Sequence, residues 1–528
     1  MRAASTGRGG ACGLVALGFI FTVVAGAFAA LGHVALENPL PGGVVDAYTW
    51  RIVAFTLWQA ALSTVLSLAF AFLAVRSIAR QDRFFGRILL LRLFALPLAL
   101  PALVVVLGVI GVWGRQGWVM EVLRPFGVEF SIFGLTGILL AHVFFNMPLA
   151  LRLLLARLEA VPMENWRLAA QLDLSPWVVF RLVEWPVLRP ALAGVAGLVF
   201  MLCLASFAVV LTLGGGPGST TIEVAIYQAL RFDFDPARAV FLALVQLALT
   251  VMLLMGLSRF MISAPLNPPL RLSGVRLDGR GVWRRLSDGV VILAAAAFLI
   301  LPLAALVGDG LAADLGRLLS EIPVLRAAAT SLGIAASAAL LCHVIAWPLL
   351  KAAQARGGRF ARFSDLSASA ILVMPPVVLG AGWFVLLHRW GSVFSFSALV
   401  VIVINALMAL PFAYRILAPA LAQAARASDR LCASLGIAGF ARFRLIDWPM
   451  LRRPLALSFG FAMALSLGDL GVIALFGSQD LVTLPLLLLQ RMGSYRTLDA
   501  AGLALLLGML CLALVYGSEK LFRGAQSA

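Results

Sequence analysis

Two stretches of the sequence decide the fold. Residues 172–190 read LDLSPWVVFRLVEWPVLRP, and residues 435–453 read LGIAGFARFRLIDWPMLRR. Both are polar, arginine-bearing islands in a mostly apolar chain, and they lie 263 residues apart. A repeat that keeps its spacing over such a distance indicates the duplication of a whole structural unit.

The repeat extends well beyond these two islands. At the same offset, identical residues begin in the apolar run before each island and continue into the apolar run after it. The matching pairs include Pro148 and Pro411, Arg152 and Arg415, Val209 and Val472, and Gly214 and Gly477. The match needs no gap, so we interpret the chain as two tandem copies of one domain.

The composition indicates an integral membrane protein. Hydrophobic residues make up 62% of the 528 residues, charged residues make up 12%, and the mean hydropathy is +1.02. These values leave too little polar surface to cover a water-soluble protein of this length. The net charge of +17 would suit nucleic acid in a soluble chain, but the basic residues lie in short segments between apolar runs. Such segments set orientation in a bilayer, so we expect lipid and no nucleic acid as a partner.

Twelve apolar runs are long enough to cross about 30 Å of hydrocarbon. They predict an all-α protein with spans at 14–36, 53–75, 93–113, 131–151, 191–213, 239–258, 289–308, 327–350, 367–388, 394–414, 455–476 and 499–519. The third span contains prolines, so we expect it to be kinked or broken. The N-terminal residues imitate a secretory signal, but their apolar stretch is too long for one, which favours an uncleaved first span.

The distribution of charge predicts the topology. Most of the 41 Lys and Arg residues lie in alternate connections, which places both termini in the cytoplasm of a bacterial inner-membrane protein. We assign a first repeat to 1–262, a cytoplasmic linker to 263–288 and a second repeat to 289–528. An even number of spans separates the copies, so they share one orientation and are related by a pseudo-two-fold axis along the membrane normal.

The polar islands belong to two cytoplasmic loops, 156–190 and 418–454. Each loop predicts a short helix, a break, and a second amphipathic segment that ends near Pro186 or Pro449. A helix held away from the membrane in this way fits a groove on another protein. The alternative is a basic loop that lies against anionic lipid headgroups, but matched spacing in two copies favours a protein partner.

These loops resemble the EAA motif of binding-protein-dependent ABC importer permeases, in which E-A-A and three residues precede a Gly, and nine more precede I-x-L-P. Gly436, Ile446 and Pro449 stand at that spacing, and Asp173 replaces the Gly in the first copy. An arginine stands where the family has its Glu. The resemblance, together with the repeat, implies an ATPase-coupling role for Arg167, Ala170, Asp173, Trp177, Arg181, Pro186, Arg430, Ala433, Gly436, Phe440, Arg444 and Pro449.

Two further stretches, 212–239 and 464–507, resemble the fused permeases of thiamine and thiamine pyrophosphate ABC importers. The resemblance extends at lower density over most of the chain. It implies import of thiamine or its phosphate esters, delivered by a periplasmic substrate-binding protein. The nearest alternative is the fused permease of ferric iron importers, which has the same twelve-span plan.

The sequence predicts that this chain does not hydrolyse ATP. A phosphate-binding P-loop places Ser or Thr after its Lys, but Lys351 and Lys520 are followed by Ala and Leu. We therefore expect ATP and Mg to bind a separate ATPase, present in two copies, and no catalytic residue, metal or cofactor in this chain. Five widely spaced cysteines indicate neither a disulfide framework nor a metal site.

An ion-coupled secondary transporter is the alternative class. Such proteins keep ionisable groups within the membrane, and here Asp469, His142 and His343 are the candidates. Asp469 matches Ser206 at the offset of the repeat, so we place both on a candidate translocation path. Asp469 either caps a helix broken at its flanking glycines or attracts a cationic thiazolium.

Overall fold

The computed structural model describes residues 2–37, 46–81, 84–127, 131–257, 281–371, 374–389, 391, 393–437 and 439–520. Helices dominate these ranges, and no residue within them lies in a β-strand. Residues 263–280 of the predicted linker lie outside the described residues. Its last residues already belong to the helix that begins at Val282, where Gly281 forms the N-cap.

The first repeat contains twelve α-helices in its described part. They are α1 (Arg2–Glu37), α2 (Ala47–Arg80), α3 (Arg87–Leu93), α4 (Ala102–Trp113), α5 (Trp118–Leu123), α6 (Leu135–Glu159), α7 (Met163–Gln171), α8 (Pro176–Val179), α9 (Trp185–Leu204), α10 (Phe207–Leu213), α11 (Ile222–Arg231) and α12 (Pro236–Leu257).

The second repeat contains eleven α-helices in its described part, one fewer than the first. Its helices are α13 (Val282–Ala312), α14 (Leu315–Ser320), α15 (Ile322–Arg356), α16 (Gly358–Ala370), α17 (Pro376–Arg389), α18 (Ser397–Ser434), α19 (Gly439–Arg442), α20 (Trp448–Leu467), α21 (Gly471–Phe476), α22 (Leu484–Gly493) and α23 (Thr497–Lys520).

Ten helical segments in the described ranges are long and apolar enough to cross a membrane. The other two predicted spans, the ninth and the eleventh, are interrupted, into α16 with α17 and α20 with α21. The third and fifth spans are interrupted at the equivalent places, which confirms the predicted break in the third. Broken helices are tolerated at membrane depth where surrounding protein satisfies the freed backbone groups.

The two repeats interlock by exchanging their first helices. Helix α1 packs on α15 and α17 of the second repeat, and α13 packs on α2 and α4 of the first. The exchange depends on glycines: a Cβ added at Gly108 would lie 2.4 Å from the carbonyl oxygen of Pro302, and one at Gly382 would lie 2.5 Å from that of Ala27. Small residues let membrane helices approach this closely. The same contact made twice supports the two-fold arrangement.

The predicted orientation leads to a labelling experiment. We expect an impermeant maleimide to label Ser494→Cys and Gly218→Cys in intact cells and to label Arg359→Cys only after permeabilisation, since basic connections stay inside. All three positions are exposed. Cys12 is exposed and is first replaced by Ser, whereas the other four cysteines are buried. Labelling of Arg359→Cys in intact cells would contradict the orientation.

Candidate functional site

The two predicted cytoplasmic loops contain the same helix-ending turn. Asp173 and Gly436 have left-handed backbones, with φ of 45° and 65°, and they are equivalent in the repeat. Each turn is closed by the backbone bonds of a Schellman motif, which are Leu174 N to Ala169 O at 3.0 Å and Ile437 N to Cys432 O at 2.9 Å. The first loop thus makes the glycine-type turn with an aspartate, one of the few non-glycine residues that tolerate this conformation.

The expected short helix before the break exists only in the first loop. There α7 is a separate helix whose N-cap is Pro162. In the second loop this prediction is wrong, because α18 runs without interruption from Ser397 to Ser434. The equivalent of Pro162 is Ala425, which keeps its backbone N–H and is the best helix former. The part of the second loop before the break is therefore the tip of a long continuous helix.

The sequence predicted that the segment after the break ends at its proline, and this prediction is wrong. Pro186 and Pro449 lie in the first turn of α9 and α20, and the chain stays helical through both. A π-helical turn precedes each of them, at 180–184 and 443–447. A proline cannot donate the N–H that continues the α-helical ladder, and the π-helical turn lies where that bond is missing. Each coupling segment therefore continues directly into a membrane span.

An apolar surface is repeated on the two loops. Trp177 and Phe440, which are equivalent, are 67% and 75% exposed. The exposed leucines around them also form equivalent pairs: Leu168 with Leu431, Leu172 with Leu435, and Leu182 with Leu445. We call these eight residues the docking surfaces. Exposed apolar residues of this kind mark contact sites for another protein or for a membrane, and the exposure is matched in the two loops.

The structure places the predicted coupling residues around these surfaces. All of them are exposed except Ala170, which is half-buried. Arg167 and Arg430, where the family motif has its Glu, lie directly beside Leu168 and Leu431 of the docking surfaces. An exposed arginine therefore precedes the first leucine of each docking surface in the chain.

The two loops are stabilised differently at equivalent positions. In the first, Trp166 and Val179 belong to one small apolar cluster. In the second, Asp429 and Arg442 take their places and form an ion pair at 2.6 Å. Desolvation lowers the pKa of Arg442, but the carboxylates of Asp429 and Asp447 outweigh it, so its pKa is raised and the guanidinium stays charged.

Two buried carboxylates of the loops escaped the sequence analysis. Glu184 and Asp447, equivalent in the repeat, are 1% and 3% exposed and pair with Arg76 at 2.7 Å and Lys351 at 2.6 Å. The sequence signal that could have revealed them is the acidic residue before Trp-Pro in both copies, in VEWP at 183–186 and IDWP at 446–449. A search for identical residues passes over it, because one copy has Glu and the other has Asp.

The candidate translocation residues lie at the breaks of the fifth and eleventh spans. Ser206 sits between α9 and α10, and its Oγ is 2.8 Å from Nε2 of His142. Asp469 sits between α20 and α21, and its Oδ1 accepts a hydrogen bond from the backbone N–H of Gly471 at 3.1 Å. The carboxylate therefore caps the broken helix, which is the first of the two roles that the sequence offered for Asp469.

The breaks of the two repeats meet at a small cavity of about 150 Å³. Pro101 from the third span and Gly468 from the eleventh both line it. A Cβ added at Gly468 would lie 3.1 Å from Cβ of Pro101. Neither Ser206 nor Asp469 is among its lining residues, although Asp469 follows Gly468 directly. The cavity thus reaches the neighbourhood of one candidate and does not join the two.

A family model places these loops among known proteins. The model for binding-protein-dependent transport system inner membrane components matches residues 71–268 and 345–518. The two matches contain one coupling loop each. The chain belongs to this family. It is thus a multi-pass inner-membrane permease with two permease domains in one polypeptide, as the repeat predicted.

Relatives match over nearly the full length. A thiamine transport system permease protein, ThiP, from Brucella abortus (strain 2308) is 52% identical over 519 residues, 96% of this chain and 94% of that protein. The protein of the same name from Escherichia coli (strain K12) is 43% identical over 515 residues, 96% of each. A protein named as a ferric transport system permease, FbpB 1, from Haemophilus influenzae is 31% identical over 193 residues, 35% of this chain and 30% of that protein.

Proposed function

We propose that this permease carries thiamine, its phosphate esters or both from the periplasm to the cytoplasm as part of an ABC importer. The observation that carries the proposal is its similarity to thiamine transport permeases across both repeats. Similarity to the ferric transport protein covers about a third of the chain, so ferric iron remains the second candidate substrate. A periplasmic binding protein delivers the substrate to the outward face.

Two copies of a separate ATPase subunit drive the movement. The support is the pair of docking surfaces, which present equivalent apolar residues with equivalent exposure. A two-fold surface suits a partner that is itself a symmetric dimer. ATP-driven closure of that dimer moves the two coupling loops, and rigid-body rocking of the repeats alternates access to the path. ATP and Mg bind the partner, and this chain contributes no reacting group.

The translocation path passes the breaks at Ser206 and Asp469. Thiamine carries a fixed positive charge on its thiazolium ring, and a carboxylate at membrane depth attracts it strongly because the local dielectric is low. A pyrophosphate ester offsets that charge. Recognition of the ester therefore belongs mainly to the binding protein.

Reconstitution tests the proposal. The permease is purified with its ATPase, placed in proteoliposomes and supplied with the binding protein. We expect thiamine or its esters to stimulate ATP hydrolysis and to accumulate inside, and ferric iron to do neither. Stimulation by ferric iron with no response to thiamine would instead assign the second candidate. Uptake driven by an ion gradient without ATP would contradict the ABC mechanism itself.

A further inference from the structure

Each coupling loop is held to a membrane span by a contact that adjoins its docking surface, since the ring of Phe180 lies 5.4 Å from that of Trp177 and the ring of Phe443 lies 6.2 Å from that of Phe440. In the first repeat, Nε of Arg76 lies 2.7 Å from Oε2 of Glu184. The guanidinium also lies over the ring of Phe180, 4.4 Å from the centroid. Phe72, one turn before Arg76 on α2, meets Phe180 edge to face at 6.1 Å. Helix α2 therefore contacts the π-helical turn of the loop through an ion pair, a cation–π contact and a contact between two aromatic rings.

The second repeat builds the same contact from other residues. Nζ of Lys351 lies 2.6 Å from Oδ2 of Asp447 and 5.2 Å from the ring of Trp347. Trp347, one turn before Lys351 on α15, meets Phe443 edge to face at 5.4 Å. Helix α15 occupies the place of α2, so both repeats fasten the loop to their second span.

In each loop, two residues of the π-helical turn contact the same membrane helix. Each turn begins with a phenylalanine and ends with an acid four residues later. Residues four apart lie on one face of a helix, so the acid and the phenylalanine point to the same side. Turns of the π type often mark functional positions. A buried carboxylate is costly unless it is paired. Both repeats therefore keep the same arrangement of an acid, a cation and two aromatic rings, although the residue types differ.

We infer that these two contacts are latches that transmit movement of the coupling loops to the membrane spans, an inference that rests on the proposed ATP-driven import. The first latch is Phe72, Arg76, Phe180 and Glu184; the second is Trp347, Lys351, Phe443 and Asp447. These are positioning residues, since none of them lies on the docking surfaces.

The helices packed on α2 and α15 indicate which parts of the protein a displacement of these two spans would move. Helix α2 packs on α6 of its own repeat and on the exchanged helix α13, and α15 packs on α18 and on the exchanged helix α1. A displacement of either second span therefore reaches both repeats at once. Such a pair of connections turns closure of two ATPase subunits into one concerted rocking of the membrane domain.

Neutral isosteres test the latches. Glu184→Gln and Asp447→Asn remove the charge and keep the shape, and their partners Arg76 and Lys351 are 23% and 25% exposed and can reach water. We expect uptake to fall about threefold in each single variant and about tenfold in the double variant, because effects at separate sites multiply. ATP hydrolysis should stay within about twofold of wild type, since the docking surfaces are untouched.

Two controls separate transmission from general damage. The double variant Arg76→Lys with Glu184→Asp gives the first latch the charged residues of the second, and we expect it to import close to the wild-type rate. Arg359→Glu reverses an exposed charge on α16, outside both latches, and should change neither readout.

Two results would overturn the latches. One is wild-type uptake in the Glu184→Gln and Asp447→Asn double variant. The other is a loss of ATP hydrolysis in proportion to uptake, which shows that the contacts only hold the loop in shape. The ratio of hydrolysis to uptake is measured with whichever substrate drives wild-type import, so a different substrate contradicts the proposed function and leaves this test intact.

Discussion

The variant Gly436→Val is expected to lower coupled transport about tenfold or more while the protein still reaches the membrane. Gly436 holds the left-handed turn between α18 and α19, at φ 65°. A Cβ added there would meet nothing within 4 Å, so we expect the effect of the substitution to come from backbone strain. Left-handed geometry costs an ordinary L-residue about 1–2 kcal/mol, and more for a β-branched one. Each 1.4 kcal/mol shifts a population about tenfold.

The measurement is uptake in proteoliposomes together with co-purification of the ATPase. We expect Gly436→Val to lower uptake about tenfold or more and to weaken co-purification, because the docking surface of the second loop is misdirected. Gly436→Asn is the matched control, since asparagine tolerates this backbone as Asp173 does in the first loop. Normal transport by Gly436→Val would remove the turn from the coupling mechanism.

The variant Asp469→Asn is expected to lower thiamine uptake strongly without loss of assembly. The amide oxygen of asparagine can still accept the hydrogen bond from the N–H of Gly471, which Asp469 accepts at 3.1 Å. The cap of the broken helix therefore remains and only the charge is lost. Loss of a charge attraction of about 1.4 kcal/mol at this depth would lower uptake about tenfold.

Two comparisons separate the charge of Asp469 from its cap. Thiamine pyrophosphate carries its own negative charges, so we expect its uptake to fall less than that of thiamine in Asp469→Asn. Asp469→Ala loses the cap as well, and should reduce the amount of assembled protein. If Asp469→Asn imports thiamine at the wild-type rate, the carboxylate serves the helix break alone.

Several positions that the sequence singled out gained a physical basis from the structure. Asp173 in place of the motif glycine is the clearest, because its backbone adopts the left-handed turn that the glycine position requires. The separate helix of the second loop was mispredicted because the deciding residue, Pro162, is absent from that copy.

The sequence by itself determined the membrane class, the spans, the two-fold repeat and the position of the coupling loops. The bilayer imposes these features locally: a span must be apolar over its whole length, and duplication leaves residues at one offset. Only the tertiary structure decided the exchange of first helices and the two latches. Arg76 and Glu184 are 108 residues apart, and Lys351 and Asp447 are 96 apart. Such pairs meet only when packed helices bring them together, and no local pattern in the chain encodes that meeting.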